Sequence, residues 1–268
     1  MQETLFINIV LFGIILFTLT TLIFLLSVWR RDMSIMDVAY GPLFALGAWG
    51  TMWLAETSTP LGILIALLIT VWAARLGLRI GRKNWGKPED ARYAAWREKW
   101  IKRGSQYFLL RSYLQVNLFQ ALIILIIATP FHLALSSGVI FATWHTMLGI
   151  AVTLFGLGYE SLADWQLDRF LSHKRRGTIT ADIMTSGLFR YSRRPNYFGE
   201  VLVWVGLAVI AYPLPYGYIA AISPLLILYI VTRVTGPMLE RAFLERYPEA
   251  YRAYMVKTSY FIPWLPKK

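Results

Sequence analysis

The sequence predicts an all-α, polytopic integral membrane protein with seven transmembrane helices. Three observations predict it. The apolar residues fall in long runs. Only 16 % of the 268 residues are charged, where a soluble domain of this length carries ~25 %. The 27 lysines and arginines gather in a few segments that punctuate the apolar runs. Lipid offers backbone groups no hydrogen bonds, so about 20 apolar residues in succession cross the ~30 Å hydrocarbon core as a helix.

The first span runs from about Leu5 to Trp29, carries no charge and is closed by Arg30 and Arg31. No early small-residue cleavage site accompanies it, so it reads as a retained anchor. The second runs from about Ile35 to Trp53 with Asp37 near its start, and the third from Leu61 to Leu78 with Arg75 in its last turns. Residues 1–78 thus hold three spans. The stretch 79–111 is dense in Lys, Arg and Trp, and is broken at Gly86 and Pro88. Within it, Ala91 to Lys102 forms a surface helix with Trp96 and Trp100 one turn apart. Residues 113–162 hold the fourth span (Tyr113 to Leu135) and the fifth (Trp144 to Leu162). A basic cytoplasmic loop, 163–196, leads to 197–234, which holds the sixth and seventh spans, turning at Pro213 and Pro215. The tail, 235–268, is polar, basic and helical to about Lys257.

Charge sets the orientation. Cations follow the first span, fill the 79–111 and 163–196 segments and recur in the tail, while the turns near Thr57, Ser136 and Pro213 carry none. By the positive-inside rule the N-terminus lies outside and the C-terminus in the cytoplasm. The net charge of +12 belongs to these loops and not to a face of a soluble domain, so nucleic acid is excluded as a partner. The chain has no cysteine, and His132, His145 and His173 lie far apart, so no metal site is expected.

The densest polar block is Gly187-Leu188-Phe189-Arg190-Tyr191-Ser192-Arg193-Arg194-Pro195-Asn196-Tyr197-Phe198-Gly199-Glu200. Proline disfavours the helical region for the residue before it and suits the first turn of a helix. A loop therefore ends near Arg194 and a helix begins with Asn196, Tyr197 and Glu200 in its first turns. Arginines before a helix N-terminus suit a phosphate, although a basic loop before a span also serves as a plain orientation signal. Asn196 and Glu200, four apart, share one helix face and suit an amide or a ribose. Asp37, Arg75 and Glu200 each lie a turn or two inside the cytoplasmic boundary, which puts a polar pocket there under basic loops. A dinucleotide fits it. No Gly-x-Gly-x-x-Gly occurs, so a Rossmann site is not implied.

That block resembles the C-terminal signature of the steroid 5α-reductase-like membrane enzymes, in particular their bacterial branch. Related signatures occur in sterol C14 reductases and, more loosely, in isoprenylcysteine carboxyl methyltransferases. The resemblance covers most of the chain and is strongest from Glu160 to Pro263. It implies NADPH as cofactor, a bacterial inner membrane as location and an active site on its cytoplasmic side. Asn196 and Glu200 match positions that hold the nicotinamide end, and Asp164 matches an acidic residue that also contacts the cofactor. Asn84 and Lys87 match a turn that contacts the nucleotide. Arg190, Tyr191, Arg194 and Tyr197 resemble its phosphate and stacking residues, with Lys174, Arg233 and Tyr247 as further carry-overs.

In the second span the family carries a Gln-Glu acid pair, where this chain reads Ile35-Met36-Asp37-Val38-Ala39-Tyr40-Gly41-Pro42. Asp37 or Tyr40 takes that place, and Trp72 stands where the third span has an active-site tyrosine. These departures bear on steroid specificity more than on cofactor binding. The implied reaction is reduction of the conjugated C=C of an apolar enone, a 3-oxo-Δ4 steroid or similar lipid. Hydride goes to the β-carbon. Glu200 stands at the nicotinamide, and Tyr40 or a protonated Asp37 stabilises the enolate and supplies the proton. Trp72, Arg75 and Trp204 form the substrate side. Asp37 is equally read as a structural partner of Arg75. Two other classes stay open: an S-adenosylmethionine-dependent methyltransferase of the same architecture, and a non-enzymatic protein binding anionic membrane lipids. The sequence leaves the oligomeric state open.

Overall fold

A computed structural model describes residues 1–138 and 143–267. Residues 139–142, between the fourth and fifth expected spans, and residue 268 of the tail lie outside the described residues. The described residues hold helices and turns but no strand. In chain order the helices are α1 (Gln2–Arg30), α2 (Ile35–Leu54), α3 (Pro60–Asn84), α4 (Ala91–Ile101) and α5 (Ser105–Ile127). Then come α6 (Thr129–Ser136), α7 (Trp144–Arg175), α8 (Pro195–Ala211), α9 (Gly217–Arg246) and α10 (Pro248–Lys257). Five are long and apolar enough to cross a membrane: α1, α3, α5, α7 and α9. The 17-residue α8 is shorter, and α2, with Asp37 and Pro42 near its start, is not among the five.

Four helices differ from their expected bounds. α3 passes Leu78 and runs on to Asn84. α5 begins at Ser105 and stops at Ile127, because Pro130 lacks the N–H that would continue the ladder, and the chain restarts as α6. α7 passes Leu162 and ends only at Arg175, where Gly177 takes a left-handed φ of 69°. There the N–H groups of Gly177 and Thr178 reach back to the carbonyls of Lys174 (3.1 Å) and His173 (3.1 Å), closing the last turn. α9 continues past Val234 to Arg246 through a π-helical turn, Ile230–Thr235, and α5 contains another at Tyr113–Leu118.

The chain forms two compact units. The first is Met1–Ala142 with Pro213–Ala220. In it α1 turns its apolar side outward, exposing Phe6, Ile14, Phe17, Leu22 and Leu25, and buries Asn8, Phe12, Leu16, Thr20 and Ser27. That is the reverse of a water-soluble helix, and it fits an apolar surround. The buried polar groups find partners across helices: Asn8 Nδ2 donates to Ser136 Oγ (2.9 Å), and Asn117 Nδ2 to the Thr20 carbonyl (3.1 Å). Small residues let the helices close. Phe12 lies over Gly47, and Pro42 of α2 rests on Gly77 of α3.

The second unit is Thr143–Tyr212 with Ala221–Lys268. Its centre is the contact of α7 with α8, which is made backbone to backbone. A Cβ added at Gly149 would stand 2.5 Å from the Gly206 carbonyl oxygen, and one at Gly156 would stand 2.8 Å from that of Gly199. Reciprocally, one at Gly199 would meet the Glu160 nitrogen at 2.7 Å. Glycines at seven-residue spacing on both helices make this possible, as small residues do in membrane helix pairs.

Gly156→Leu is expected to destabilise the second unit by about 1–3 kcal/mol through overpacking. Gly158→Leu, two residues away where an added Cβ meets nothing within 4 Å, is expected to be near neutral. Unfolding of the two variants in mixed detergent micelles checks this. Equal losses at both positions would show that the glycine contact is not what orders the pair.

Candidate functional site

In the second unit the α7–α8 contact brings the acidic residues of one helix to the N-terminal turns of the other. Glu160 and Asp164, one turn apart on α7, are both buried on the face that carries Gly149, Thr153 and Gly156. Glu160 lies against Gly199, the neighbour of Glu200. Asn196, Tyr197 and Glu200 occupy the first turns of α8, half-buried, and Trp204 is fully buried one turn further on.

α8 opens at Arg194 and Pro195, as the proline rule requires. The segment before it is held by the tail. Arg193 N–H donates to the Ser259 carbonyl (2.8 Å), and Ser192 Oγ to that of Phe261 (2.7 Å). Trp264 N–H donates to the Tyr191 carbonyl (2.9 Å), and the buried Tyr254 hydroxyl to that of Phe189 (2.5 Å). At the other end Gly187, with a left-handed φ of 60°, lies against Gln166, whose Oε1 accepts from Leu188 N–H (2.9 Å). The loop is thus pinned from α7 and from the tail.

The two arginines at this corner are both buried, 8 % and 9 % exposed, and differently answered. Arg193 Nη1 is 3.0 Å from Glu240 Oε1, an ion pair not aligned as a hydrogen bond, and its guanidinium lies over the Tyr260 ring. Arg194 Nη2 donates to the Tyr251 hydroxyl (3.3 Å) and the group lies over the Phe243 ring. Its buried Nε has no hydrogen-bond partner, and among the described residues no carboxylate pairs with it. Burial raises the pKa of the Tyr251 and Tyr254 hydroxyls, so both stay neutral around this cation.

The other nominated residues of this unit spread out. Arg190 and Tyr191 are exposed, while their carbonyls accept from Thr258 Oγ1 (3.4 Å) and Trp264 N–H. Lys174 and Tyr247 do meet, the ammonium 4.6 Å from the ring centroid, with Lys174 also donating to the Asp182 carbonyl (2.7 Å). Arg233 is exposed on α9 and lines a surface concavity with Arg241 and Glu245.

In the first unit Asp37 is held from α4. The Tyr93 hydroxyl donates to its Oδ1 (2.6 Å) and Arg92 Nη2 to its Oδ2 (3.0 Å). Burial, and then the Asp37 charge, push the Tyr93 pKa far above the ordinary value, so Tyr93 remains a donor at any working pH. Glu89 accepts from Met33 N–H (2.7 Å) and from Arg97 Nη2 (2.7 Å), tying the start of α2 to α4. Tyr40, Phe44 and Trp72 form an edge-to-face aromatic line, with centroids 5.4 and 5.3 Å apart. Arg75 is half-buried one turn beyond Trp72. Asn84 ends α3, and Lys87 is exposed on the turn that follows, where Gly86 takes a left-handed φ of 68°.

Comparison with known proteins fits this arrangement. A family model described as "Protein of unknown function (DUF1295)" matches residues 23–258. The chain belongs to this family. It is a steroid 5α-reductase-like family. Uncharacterized protein C594.04c of Schizosaccharomyces pombe is 28 % identical over 233 residues, 76 % of this chain and 63 % of its own length. The 3-oxo-5-alpha-steroid 4-dehydrogenase 2 of Macaca fascicularis is 32 % identical over 76 residues, 27 % of this chain and 29 % of that one. The human protein of the same name is 30 % identical over 76 residues, with the same shares. The chain therefore spans under two thirds of the yeast protein and under a third of the steroid dehydrogenases. No solved structure matches it. Membership in the family, with the helices above, makes this an integral membrane protein of a reductase-like family.

Several residues at these sites were not nominated from sequence. Gln166 on α7 is reached only by α7 continuing past Leu162, whereas Glu160 lies inside the expected fifth span. Glu240, Tyr251 and Tyr254 meet the arginine corner from 47 to 65 residues along the chain, a separation that local pattern does not register. Tyr93 and Arg92 are partners of Asp37, for which the sequence reading names only Arg75 as a structural partner.

Tyr254→Phe is expected to destabilise the second unit by about 1 kcal/mol, leaving the Phe189 carbonyl short of a donor. Glu240→Gln, which leaves Arg193 buried without its carboxylate, is expected to cost about 3 kcal/mol. Because burial raises the folded Tyr254 pKa above 10.0, its stabilising share is complete below about pH 10 and lost as pH rises further. Thermal unfolding between pH 7 and 11 checks both points. An alkaline loss equally steep in Tyr254→Phe would assign it to other groups.

Proposed function

We propose that the chain is an NADPH-dependent oxidoreductase that reduces the conjugated C=C of an apolar enone, a 3-oxo-Δ4 steroid or a lipid of similar shape. The observation that carries this reading is the buried Arg194 at the head of α8. Its Nε has no hydrogen-bond partner, and the residue is the N-cap of the helix. A buried cation at a helix N-terminus suits a phosphate. Asn196 and Glu200 stand one and two turns on, offering an amide and a carboxylate to a carboxamide. The residues present therefore fit the dinucleotide.

Bound there, NADPH supplies the hydride. The chain supplies the rest. Arg194 and the α8 N–H groups hold the phosphates, with Arg190, Tyr191 and Tyr197 beside them. Asn196, Glu200 and Asp164 orient the nicotinamide end. Asn84, Lys87, Lys174, Arg233 and Tyr247 are assigned to the nucleotide's outer contacts, and Trp72, Arg75 and Trp204 to the substrate. Asp37 and Tyr40 stabilise the charge that develops on the carbonyl oxygen and deliver the proton. Because both Asp37 oxygens accept hydrogen bonds from α4, Tyr40 is the stronger choice for donor. We further propose that α2 and α8 cross the membrane with the five longer helices, giving seven spans in a bacterial inner membrane. The N-terminus is then outside, and the basic segments 79–111, 163–196 and 235–268 are cytoplasmic. The lack of cations at the turns near Thr57 and Pro213 supports this topology.

The test is a titration of the detergent-purified protein with NADPH, NADH and S-adenosylmethionine, read by tryptophan quenching. NADPH is expected to saturate, and Asn196→Ala, Glu200→Ala and Arg194→Ala each to weaken it at least tenfold. Tyr40→Phe is expected to keep NADPH binding and lower enone turnover by ~10²-fold. Saturation by S-adenosylmethionine and not by NADPH would replace the reductase reading with the methyltransferase one.

A further inference from the structure

The C-terminal segment of the second unit builds a second feature that the reductase reading does not use. It is a surface concavity of about 340 Å³ whose lining includes Arg193, Lys257, Thr258, Tyr260, Trp264 and Lys267. The size is at the low end of ligand-sized pockets, ~300–1,000 Å³. Three of its lining residues are cations and none is a carboxylate. Arg193 is answered from α9 by Glu240, whereas Lys257 and Lys267 are exposed and meet no carboxylate among the described residues.

The wall is built although it has no regular secondary structure. Lys267 N–H donates to the Lys257 carbonyl (2.9 Å), Trp264 N–H to that of Tyr191 (2.9 Å) and Arg193 N–H to that of Ser259 (2.8 Å). The backbone is thereby folded back so that Lys257 and Lys267, ten residues apart, line one hollow. Around it the chain exposes Val256 (68 %), Ile262 (61 %), Trp264 (72 %) and Leu265 (74 %). Four large apolar side chains beside a cationic hollow are costly against water. At a bilayer surface they are stabilising, with Trp at headgroup depth, aliphatic residues in the acyl boundary and cations on phosphates.

We infer that this concavity binds the phosphate of an anionic phospholipid headgroup, with Trp264 and Leu265 set into the adjoining acyl region. A soluble phosphate would use the lysines but has no need of the apolar rim. A phospholipid uses both. The inference goes beyond the reductase reading and does not rest on it.

The test uses the full chain in neutral detergent, titrated with brominated phosphatidylglycerol or brominated phosphatidylcholine. Quenching that is lost in Trp264→Phe isolates the reporter at the rim. Phosphatidylglycerol is expected to quench Trp264 at roughly tenfold lower mole fraction than phosphatidylcholine. Lys257→Gln/Lys267→Gln is expected to erase the preference, and Lys257→Arg/Lys267→Arg to keep it. Equal quenching by the two lipids, or a preference that survives the double glutamine variant, would overturn the inference. Displacement of the lipid by inorganic phosphate at equal phosphate concentration would do the same, by assigning the hollow to a soluble anion. Displacement by NADPH would assign it to the cofactor.

Discussion

The second unit depends on two helices meeting at backbone distance. Gly149 and Gly156 of α7 face Gly206 and Gly199 of α8, and side chains at those four positions would collide with the opposite main chain. Close approach has a consequence for every polar residue near it. Glu160 and Asp164 cannot reach water past α8, and the opening turns of α8 are fixed to within a fraction of a turn against α7. Asn196 and Glu200 then project from a rigid helix, with Arg194 at its N-cap. Precision in a binding site comes from such supports. Lipid, which gives helices no hydrophobic reason to associate, makes van der Waals packing of this kind the main available force.

Much of the helical layout was legible because lipid leaves so few options. Apolar runs located α1, α2 and the starts of α3 and α7, and Pro195 located the start of α8 to within a residue. Where expectation and structure differ, the missing signal is polar. α7 continues for three turns beyond its apolar run because helix formation does not require an apolar sequence, only residues without a breaker, and the first breaker is Gly177. α5 ends early for the opposite reason, since Thr129 and Pro130 are inconspicuous in an apolar run yet remove a ladder donor. The π-helical turns at Tyr113–Leu118 and Ile230–Thr235 leave no trace in composition.

The site was less legible than the helices, and α4 shows why. Read alone, Ala91 to Lys102 is a surface helix with its tryptophans turned inward, and Trp96 and Trp100 do stack at 5.6 Å. What sequence did not show is that the helix also supplies the partners of Asp37. Two hydrogen bonds to that carboxylate and two from Arg97 to Glu89 dock α4 onto the start of α2. Pairings across 56 residues are set by tertiary structure, so the sequence reading names only Arg75, in the neighbouring span, as a structural partner. The same limit hid Glu240, Tyr251 and Tyr254 from a reading centred on residues 187–200.

Arg193 and Arg194 make the argument in its smallest form. They are adjacent, identical in type and almost equally buried, and only the resemblance to the family singled out Arg194. The fold divides them. Successive residues leaving a loop for a helix point in different directions, so Arg193 meets the carboxylate of Glu240 and Arg194 meets a neutral phenol and a phenyl ring. A buried charge without an opposite charge is costly, and it persists where the surrounding structure fixes it. Here Tyr251 and Tyr254 help to fix it, raised in pKa by burial so that neither becomes an anion. A carboxylate at either position would neutralise Arg194 and compete with any phosphate. The neutral Tyr251 hydroxyl holds the guanidinium in place without cancelling its charge. The corner thus combines a structural ion pair and, one residue away, a buried cation that no carboxylate among the described residues pairs with.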